Sequence, residues 1–308
     1  MSVHAVERVK QLMDCLVNQA VTPLVAACDE IEEIKRWLAD ESSRDQFQQE
    51  LAFVVLRGLL GNESAVHYAG IIKTDEWERI SSRALQELDV LLAGGRLPTL
   101  KFPADERTIR NVYAAFFVLE PYQYGEVTLR EGDVFLDCGA YCGESALWAA
   151  SKGAEKVFAF EPVPRSFSYL CVNAQQFEPG RIVPVDVGLG ATSGRMSLSV
   201  DANKGADSIY LIPEEEGAYS VPVVTLDDWC RENEVKPDFI KMDLEGGEVD
   251  ALKGAQGIIA EYKPRLAICL YHRLSDMWVI PRLVKNMVPK YRFWCRKIGP
   301  DFILYASL

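Results

Sequence analysis

From Val6 to about Leu92, apolar residues recur at intervals of three and four: Val6, Val9, Met13 and Leu16, then Leu51, Val54 or Val55 and Leu59, then Trp77, Ile80, Leu85, Leu88 and Leu92. This spacing places each set on one face of a helix, and nothing in the stretch alternates as a strand does. Ala93-Gly94-Gly95-Arg96-Leu97-Pro98 closes the region, because glycine suits a helix C-terminus and proline cannot continue a helix. The expected organisation is an all-helical N-terminal domain over residues 1–100, serving substrate selection or dimerisation, and a second domain over 101–308.

Beyond about residue 130 the pattern changes to short apolar runs separated by helical stretches. The candidate strands are Val134–Asp137, Val157–Glu161, Ile182–Val187, Phe239–Asp243, Leu266–Tyr271, Tyr291–Cys295 and Phe302–Tyr305. Helices are expected to begin near Gly143, Pro164, Asp227, Gly246 and Ser275. Strands followed by helices in this way are the signature of βαβ units, so the second domain is predicted to be α/β, a doubly wound and mostly parallel seven-stranded sheet. Met196–Val200 and Ser220–Thr225 alternate weakly and are predicted to form an extra hairpin.

Composition narrows the function. The chain has 308 residues, 49% of them hydrophobic and 25% charged, and no apolar run approaches the ~20 residues of a membrane helix. Its first residues lack the uncharged core of a secretory signal, which predicts a cytoplasmic protein. A net charge of −12, with no basic stripe, argues against a nucleic-acid partner and for a small-molecule, sugar or lipid-linked one. Eight scattered cysteines read as buried reduced thiols, and the acidic group Asp29, Glu30, Glu32 and Glu33 as a solvated helix face. Val6, Val9, Met13 and Leu16 also approximate a heptad seam, which makes a homodimer a candidate assembly.

The most informative segment is Val134-Phe135-Leu136-Asp137-Cys138-Gly139-Ala140-Tyr141-Cys142-Gly143-Glu144-Ser145, a buried strand, an acidic end, a glycine turn and a helix start. In an open α/β sheet, a nucleotide-like ligand sits at this turn. A dinucleotide site presents bare amides to a pyrophosphate, whereas here Asp137 and Glu144 flank the turn and would repel one. S-adenosylmethionine carries an ammonium and a sulfonium and no phosphate, so an acidic loop attracts it. The next strand ends at Glu161-Pro162, with Glu161 lying 18 residues beyond Gly143, near the spacing at which a carboxylate receives ribose hydroxyls.

Asp137-Cys-Gly-Ala-Tyr-Cys-Gly-Glu, Phe160-Glu-Pro with Asn173 downstream, Val224-Thr-Leu-Asp-Asp-Trp, and Phe239-Ile-Lys-Met-Asp-Leu-Glu-Gly-Gly-Glu together resemble the FkbM family of methyltransferases, over roughly residues 121–308. The Gln123-Tyr124 pair resembles the family as well, and the helical region is similar to an extension carried by its longer members. The resemblance implies a class I, Rossmann-like methyltransferase fold and O-methylation of a sugar, glycan or natural-product hydroxyl. It also implies cofactor contacts from Asp137, Gly139, Ala140, Tyr141, Gly143, Glu144 and Ser145 around the methionine part. Glu161 and Pro162 are expected at the ribose, Asp186 and Val187 at the adenine, and Asp243 beside the cofactor.

The fourth strand delivers Lys241, Asp243 and Glu245 to the carboxyl edge of the sheet, and His272 follows the fifth. Two carboxylates there can orient an acceptor hydroxyl, take its proton or hold a divalent cation; no metal is assigned. His272 is expected to act as base, with Asp243 and Glu245 positioning the acceptor and the helical region or Tyr124 forming the selecting wall. Many family members carry a glutamate shortly before this histidine, where this chain has Leu270 and Tyr271. Two other readings stand beside the enzyme: a cofactor-binding or scaffold protein of a biosynthetic complex, and a nicotinamide-dependent reductase, against which the missing Gly-x-Gly counts.

Overall fold

The computed structural model describes residues 22–60, 74–95, 97–200, 209–211, 219–299 and 301–308. The heptad-like set Val6–Leu16 and the histidines His4 and His67 lie outside them.

Seven strands form the central sheet: β1 (Val134–Cys138), β2 (Lys156–Phe160), β3 (Ile182–Val185), β8 (Phe239–Met242), β9 (Arg265–Cys269), β10 (Arg292–Ile298) and β11 (Asp301–Ser307). Their order is β10-β11-β9-β8-β1-β2-β3, all neighbours parallel except around β11, which is antiparallel to both β9 and β10. This is the doubly wound, mostly parallel arrangement expected of a class I methyltransferase. β1 pairs with both β2 and β8, so the chain reverses direction of winding at β1 and opens a crevice at the strands' carboxyl ends.

Alternation within the strands supplies both faces. Leu136, Ile240, Leu266, Ile268 and Leu304 enter one apolar cluster, and Phe135, Phe239, Ala267 and Ile303 the other, all of them fully buried. That is why these strands read as continuous apolar runs rather than polar-apolar alternation. The helices divide accordingly. On the first face lie α2 (Cys28–Trp37), which follows the short α1 (Thr22–Ala26), and α3 (Glu41–Leu60), together with α8 (Leu226–Glu232), α9 (Glu248–Lys253), α10 (Gln256–Tyr262) and α11 (Asp276–Met287). On the second lie α4 (Thr74–Ala93), α5 (Glu106–Ala114), α6 (Glu144–Ser151) and α7 (Pro164–Ala174).

The described helices ahead of residue 100 thus bury their apolar residues in the two clusters that flank the sheet: Ile31, Ile34 and Phe47 in one, Ala84 and Leu88 in the other. The stretch after α4 is tied to α7 by side chains. Asn173, fully buried, accepts from Lys101 N and donates to Lys101 O and Cys142 O, and Gln176 accepts from Thr99 N at 2.6 Å.

The link between α2 and α3, with the first turns of α3, also dresses the edge strand β10. Leu38 bridges Phe293, Ala39 N donates to Phe293 O at 2.7 Å, Ser43 Oγ receives Cys295 N at 3.0 Å, and Gln46 Oε1 receives Lys297 N at 2.6 Å.

The predicted extra hairpin is part of a second, four-stranded sheet, ordered β4-β7-β5-β6, in which β5 (Gly194–Val200) and β7 (Tyr219–Val224) pair antiparallel. β6 (Ile209–Leu211) adds to the outer edge of β5, and β4 (Gly188–Leu189) runs parallel to β7. Among the described residues, no helix is long and apolar enough to cross a membrane, and the cysteines are unpaired.

Candidate active site

A cavity of 720 Å³ opens at the carboxyl ends of β1, β2, β8 and β9, where the change of winding predicts a ligand. Its floor depends on one glycine. A Cβ at Gly139 (φ +86°) would lie 1.8 Å from the carbonyl oxygen of Asp243, so β1 and β8 close together here because position 139 has no side chain. Gly139 N and Ala140 N then donate to Phe160 O, at 3.1 and 2.9 Å, and the turn passes over β2 into α6.

Two acidic side chains face the cavity from this turn and from β2. Glu161 accepts from Tyr141 N at 2.9 Å and from Val163 N at 2.8 Å, which fixes its carboxyl group at the strand end. Glu144 opens α6, is 8% exposed, and its Oε2 has no hydrogen-bond partner. Burial pushes both carboxyl groups up, Glu144 to about 7 and Glu161 to about 8. A buried acceptor without a partner is costly unless a ligand supplies a donor.

The expected residues separate into two sets. Gly139, Ala140, Tyr141, Glu144, Ser145, Glu161, Pro162, Val187, Asp243, Glu245 and His272 all border the cavity. Asp137, Gly143 and Asp186 do not. Asp137 lies beneath the floor, fully buried, where it receives Ser145 Oγ at 2.6 Å and pairs with Lys241 Nζ at 3.1 Å. Gly143 faces Leu170 and Asn173, and Asp186 is exposed outside the wall. Lys241 also donates to Gly139 O at 2.5 Å, so its ammonium fastens the glycine turn to β8. Burial opposes that charge, yet the carboxylates of Asp137 and Asp243 hold the ammonium above its ordinary value.

At the other end of the cavity Asp243 is a crossing point. It receives Tyr122 Oη at 3.1 Å and Tyr271 Oη at 2.9 Å, and burial notwithstanding, Lys241 and His272 keep its carboxyl group below the usual range. Glu245 sits beside it with φ +51°, a conformation that non-glycine residues rarely adopt and that recurs at functional sites. His272 is enclosed by acids: Nδ1 is 2.9 Å from Glu248 Oε1, and Nε2 is 3.5 Å from Glu245 Oε2 and 3.7 Å from Asp243 Oδ1. Burial works against its charge, but these carboxylates push its pKa up to about 10. In the absence of a cation these carboxylates favour the protonated imidazole, which weakens the expectation that His272 itself takes the acceptor proton.

Several wall residues escape the sequence reading. Tyr122 and Phe116 lie in the segment before β1, Tyr271 stands directly before His272, and Glu248, the first residue of α9, reaches His272 from behind the wall. Tyr124, expected in the wall, instead packs on Tyr305 with ring centroids 5.7 Å apart. The Val224-Thr-Leu-Asp-Asp-Trp motif is architectural. Thr225 caps α8, Asp227 accepts from Gly257 N and Ile258 N at the start of α10, and Trp229 packs edge-on against Phe158 and Phe160.

The sequence model of the Methyltransferase FkbM domain matches residues 137–296, more than half of the chain, from Asp137 at the end of β1 into β10. The chain belongs to the FkbM methyltransferase family. The chain is 35% identical over 127 residues to the hexuronic acid methyltransferase AglP of Haloferax volcanii, a match that covers 40% of this chain and 50% of that protein. The chain thus spans about half the length of the curated relative it matches. It also resembles the crystal structure of methyltransferase FkbM from Methylobacillus flagellatus KT, with a TM-score of 0.50 at 26% identity, over 74% of this chain and 59% of that one.

Proposed function

We propose that this protein is an S-adenosylmethionine-dependent O-methyltransferase acting on a hydroxyl of a sugar acid or a related glycan. The observation that carries this reading is Glu144, a buried carboxylate with an unpartnered oxygen beside a glycine turn. It suits an ammonium and would repel a pyrophosphate.

In this reading the turn from Gly139 to Ser145 holds the methionine part, Glu161 and Pro162 the ribose, and Val187 the adenine. S-adenosylmethionine supplies a methyl group on a sulfonium: the acceptor oxygen bonds the methyl carbon, the carbon–sulfur bond breaks with its electron pair kept on sulfur, and the hydroxyl proton passes to a carboxylate. Asp243, already receiving two tyrosine hydroxyls, is a poor receiver, which leaves Glu245, exposed at the cavity and next to His272, as the base. His272 orients Glu245 rather than accepting the proton. Arg273 borders the cavity and can bind an acceptor carboxylate through its planar guanidinium. Most of the rate gain then comes from aligning the acceptor oxygen with the methyl group in a confined pocket. The described helices ahead of residue 100 are assigned a part in presenting the acceptor, since they join the apolar clusters on both sides of the sheet.

Purified protein is incubated with methyl-labelled S-adenosylmethionine and glucuronic acid-terminated oligosaccharides. Label on an acceptor oxygen, together with calorimetric binding of S-adenosylhomocysteine and none of NAD, is the expected result. Binding of NAD with no heat from S-adenosylhomocysteine would overturn the reading.

A further inference from the structure

We infer that Asp243, Glu245 and His272 form a binding site for a divalent first-row transition cation such as Mn²⁺. One donor atom from each of the three lies within 4.8 Å of the others. Ligands sharing a cation at about 2.1 Å stand about 3–4 Å apart, and the observed 3.5 and 3.7 Å separations of Nε2 from Glu245 and Asp243 match that edge length.

The histidine supplies the second, independent observation. Its side chain is 9% exposed, and neither ring nitrogen makes a hydrogen bond, although Nε2 stands 3.5 and 3.7 Å from two carboxylates. Its other nitrogen, Nδ1, is 2.9 Å from Glu248 Oε1, and Glu248 is fully buried and itself held by Leu244 N at 2.6 Å. A metal-binding histidine ordinarily gives its second nitrogen to a carboxylate, which selects the tautomer and aims the free nitrogen at the cation. Asp243 has the same kind of support, from the hydroxyls of Tyr122 and Tyr271. Every proposed ligand except Glu245 is therefore oriented by a neighbour.

One imidazole and two carboxylates suit Mn²⁺ and its neighbours better than Mg²⁺, which prefers an all-oxygen octahedron, or Zn²⁺ in a closed structural site rich in sulfur. Three protein ligands on one side leave coordination positions facing the cavity. Those positions fit oxygen donors of the acceptor; cation binding releases the imidazole proton, and Glu245 bound through one oxygen keeps the other for the acceptor proton, so this inference deepens the O-methyltransferase reading and rests on it for the identity of the acceptor.

Chelator-treated full-length protein is titrated with Mn²⁺ by calorimetry and by loss of the free-Mn²⁺ paramagnetic resonance signal. One site per chain is expected. Glu245→Gln, at a half-exposed position that should not disturb folding, weakens it at least tenfold, and Glu248→Gln weakens it about 10–100-fold through the imidazole. No saturable Mn²⁺ binding by the wild type, or binding unchanged in Glu245→Gln, overturns the site. The same preparation is titrated with S-adenosylhomocysteine: heat from that compound without Mn²⁺ binding overturns the cation site alone, and Mn²⁺ binding without that heat overturns the cofactor reading alone.

Discussion

Lys241 and Asp137 meet at 3.1 Å beneath the pocket floor, with 2% and none of their side-chain surface exposed. A pair so enclosed stabilises little by existing, but removing one partner strands the other charge in a dry place. Lys241→Met should lower unfolding stability by about 3–5 kcal/mol, while the double variant with Asp137→Asn recovers much of it. Urea denaturation checks this, and equal losses in both proteins would show that the two side chains are not coupled.

Gly139→Ala tests the closure of the floor. Because a methyl group there meets Asp243 O at 1.8 Å and φ is +86°, the strand ends must separate. Binding of S-adenosylhomocysteine should be lost, whereas Gly95→Ala, at another positive-φ glycine with open space around it, should leave binding unchanged. Calorimetry on both variants decides it.

The raised carboxyl groups of Glu144, to about 7, and Glu161, to about 8, predict opposite pH trends for the empty and the bound protein. A carboxyl group with a raised folded-state pKa contributes stability that is complete below its ordinary value and is lost as pH climbs through the folded value. The empty protein should therefore melt at lower temperature at pH 8.5 than at pH 6. Ionised Glu144 attracts an ammonium, so affinity for S-adenosylhomocysteine should rise over the same interval, and Glu144→Gln should flatten that rise. Thermal melts and titrations at matched ionic strength supply both curves.

Tyr122 and Tyr271 aim Asp243 from two sides. Tyr271→Phe removes a hydroxyl bonded to a charged oxygen, so turnover should fall about tenfold with cofactor affinity unchanged. A fall in cofactor affinity of the same size would place Tyr271 elsewhere in the mechanism.

Phe47 is fully buried and packs against Phe302 of β11, with ring centroids 6.3 Å apart. Phe47→Ala should cost about 3–5 kcal/mol and shift one cooperative melt. A separate early transition, with the remainder unmoved, would instead mark α3 as a unit that folds apart from the sheet.

The seven strands of the main sheet were legible because each is a short apolar run and the helices between them carry their own period. The glycine turn and Glu161 were legible because backbone approach and charge restrict which residues can stand there. Asp137 reads as a ligand residue from its place at a strand end, yet its charge is spent on Lys241, a contact between β1 and β8 that spacing along the chain does not reveal. Tyr122 was hidden for the same reason, since it reaches Asp243 across 121 residues from a segment with no motif of its own, whereas Glu248 closes the Phe239–Glu248 motif and only its contact with His272 was not legible. His272 borders the cavity as its place after the fifth strand suggests, but its protonation depends on three carboxylates gathered from the loop after β8 and the start of α9.

The dressing of β10 has a consequence outside the site. An outer strand with free amides invites another polypeptide to add itself, and sheets left open in this way tend to grow into aggregates. Here Ala39, Ser43 and Gln46 occupy the positions that an invading strand would need. The stretch that looks from sequence like a helical preface therefore also acts as a hem along the sheet. Unpicking it should show first as insolubility, before any loss of chemistry.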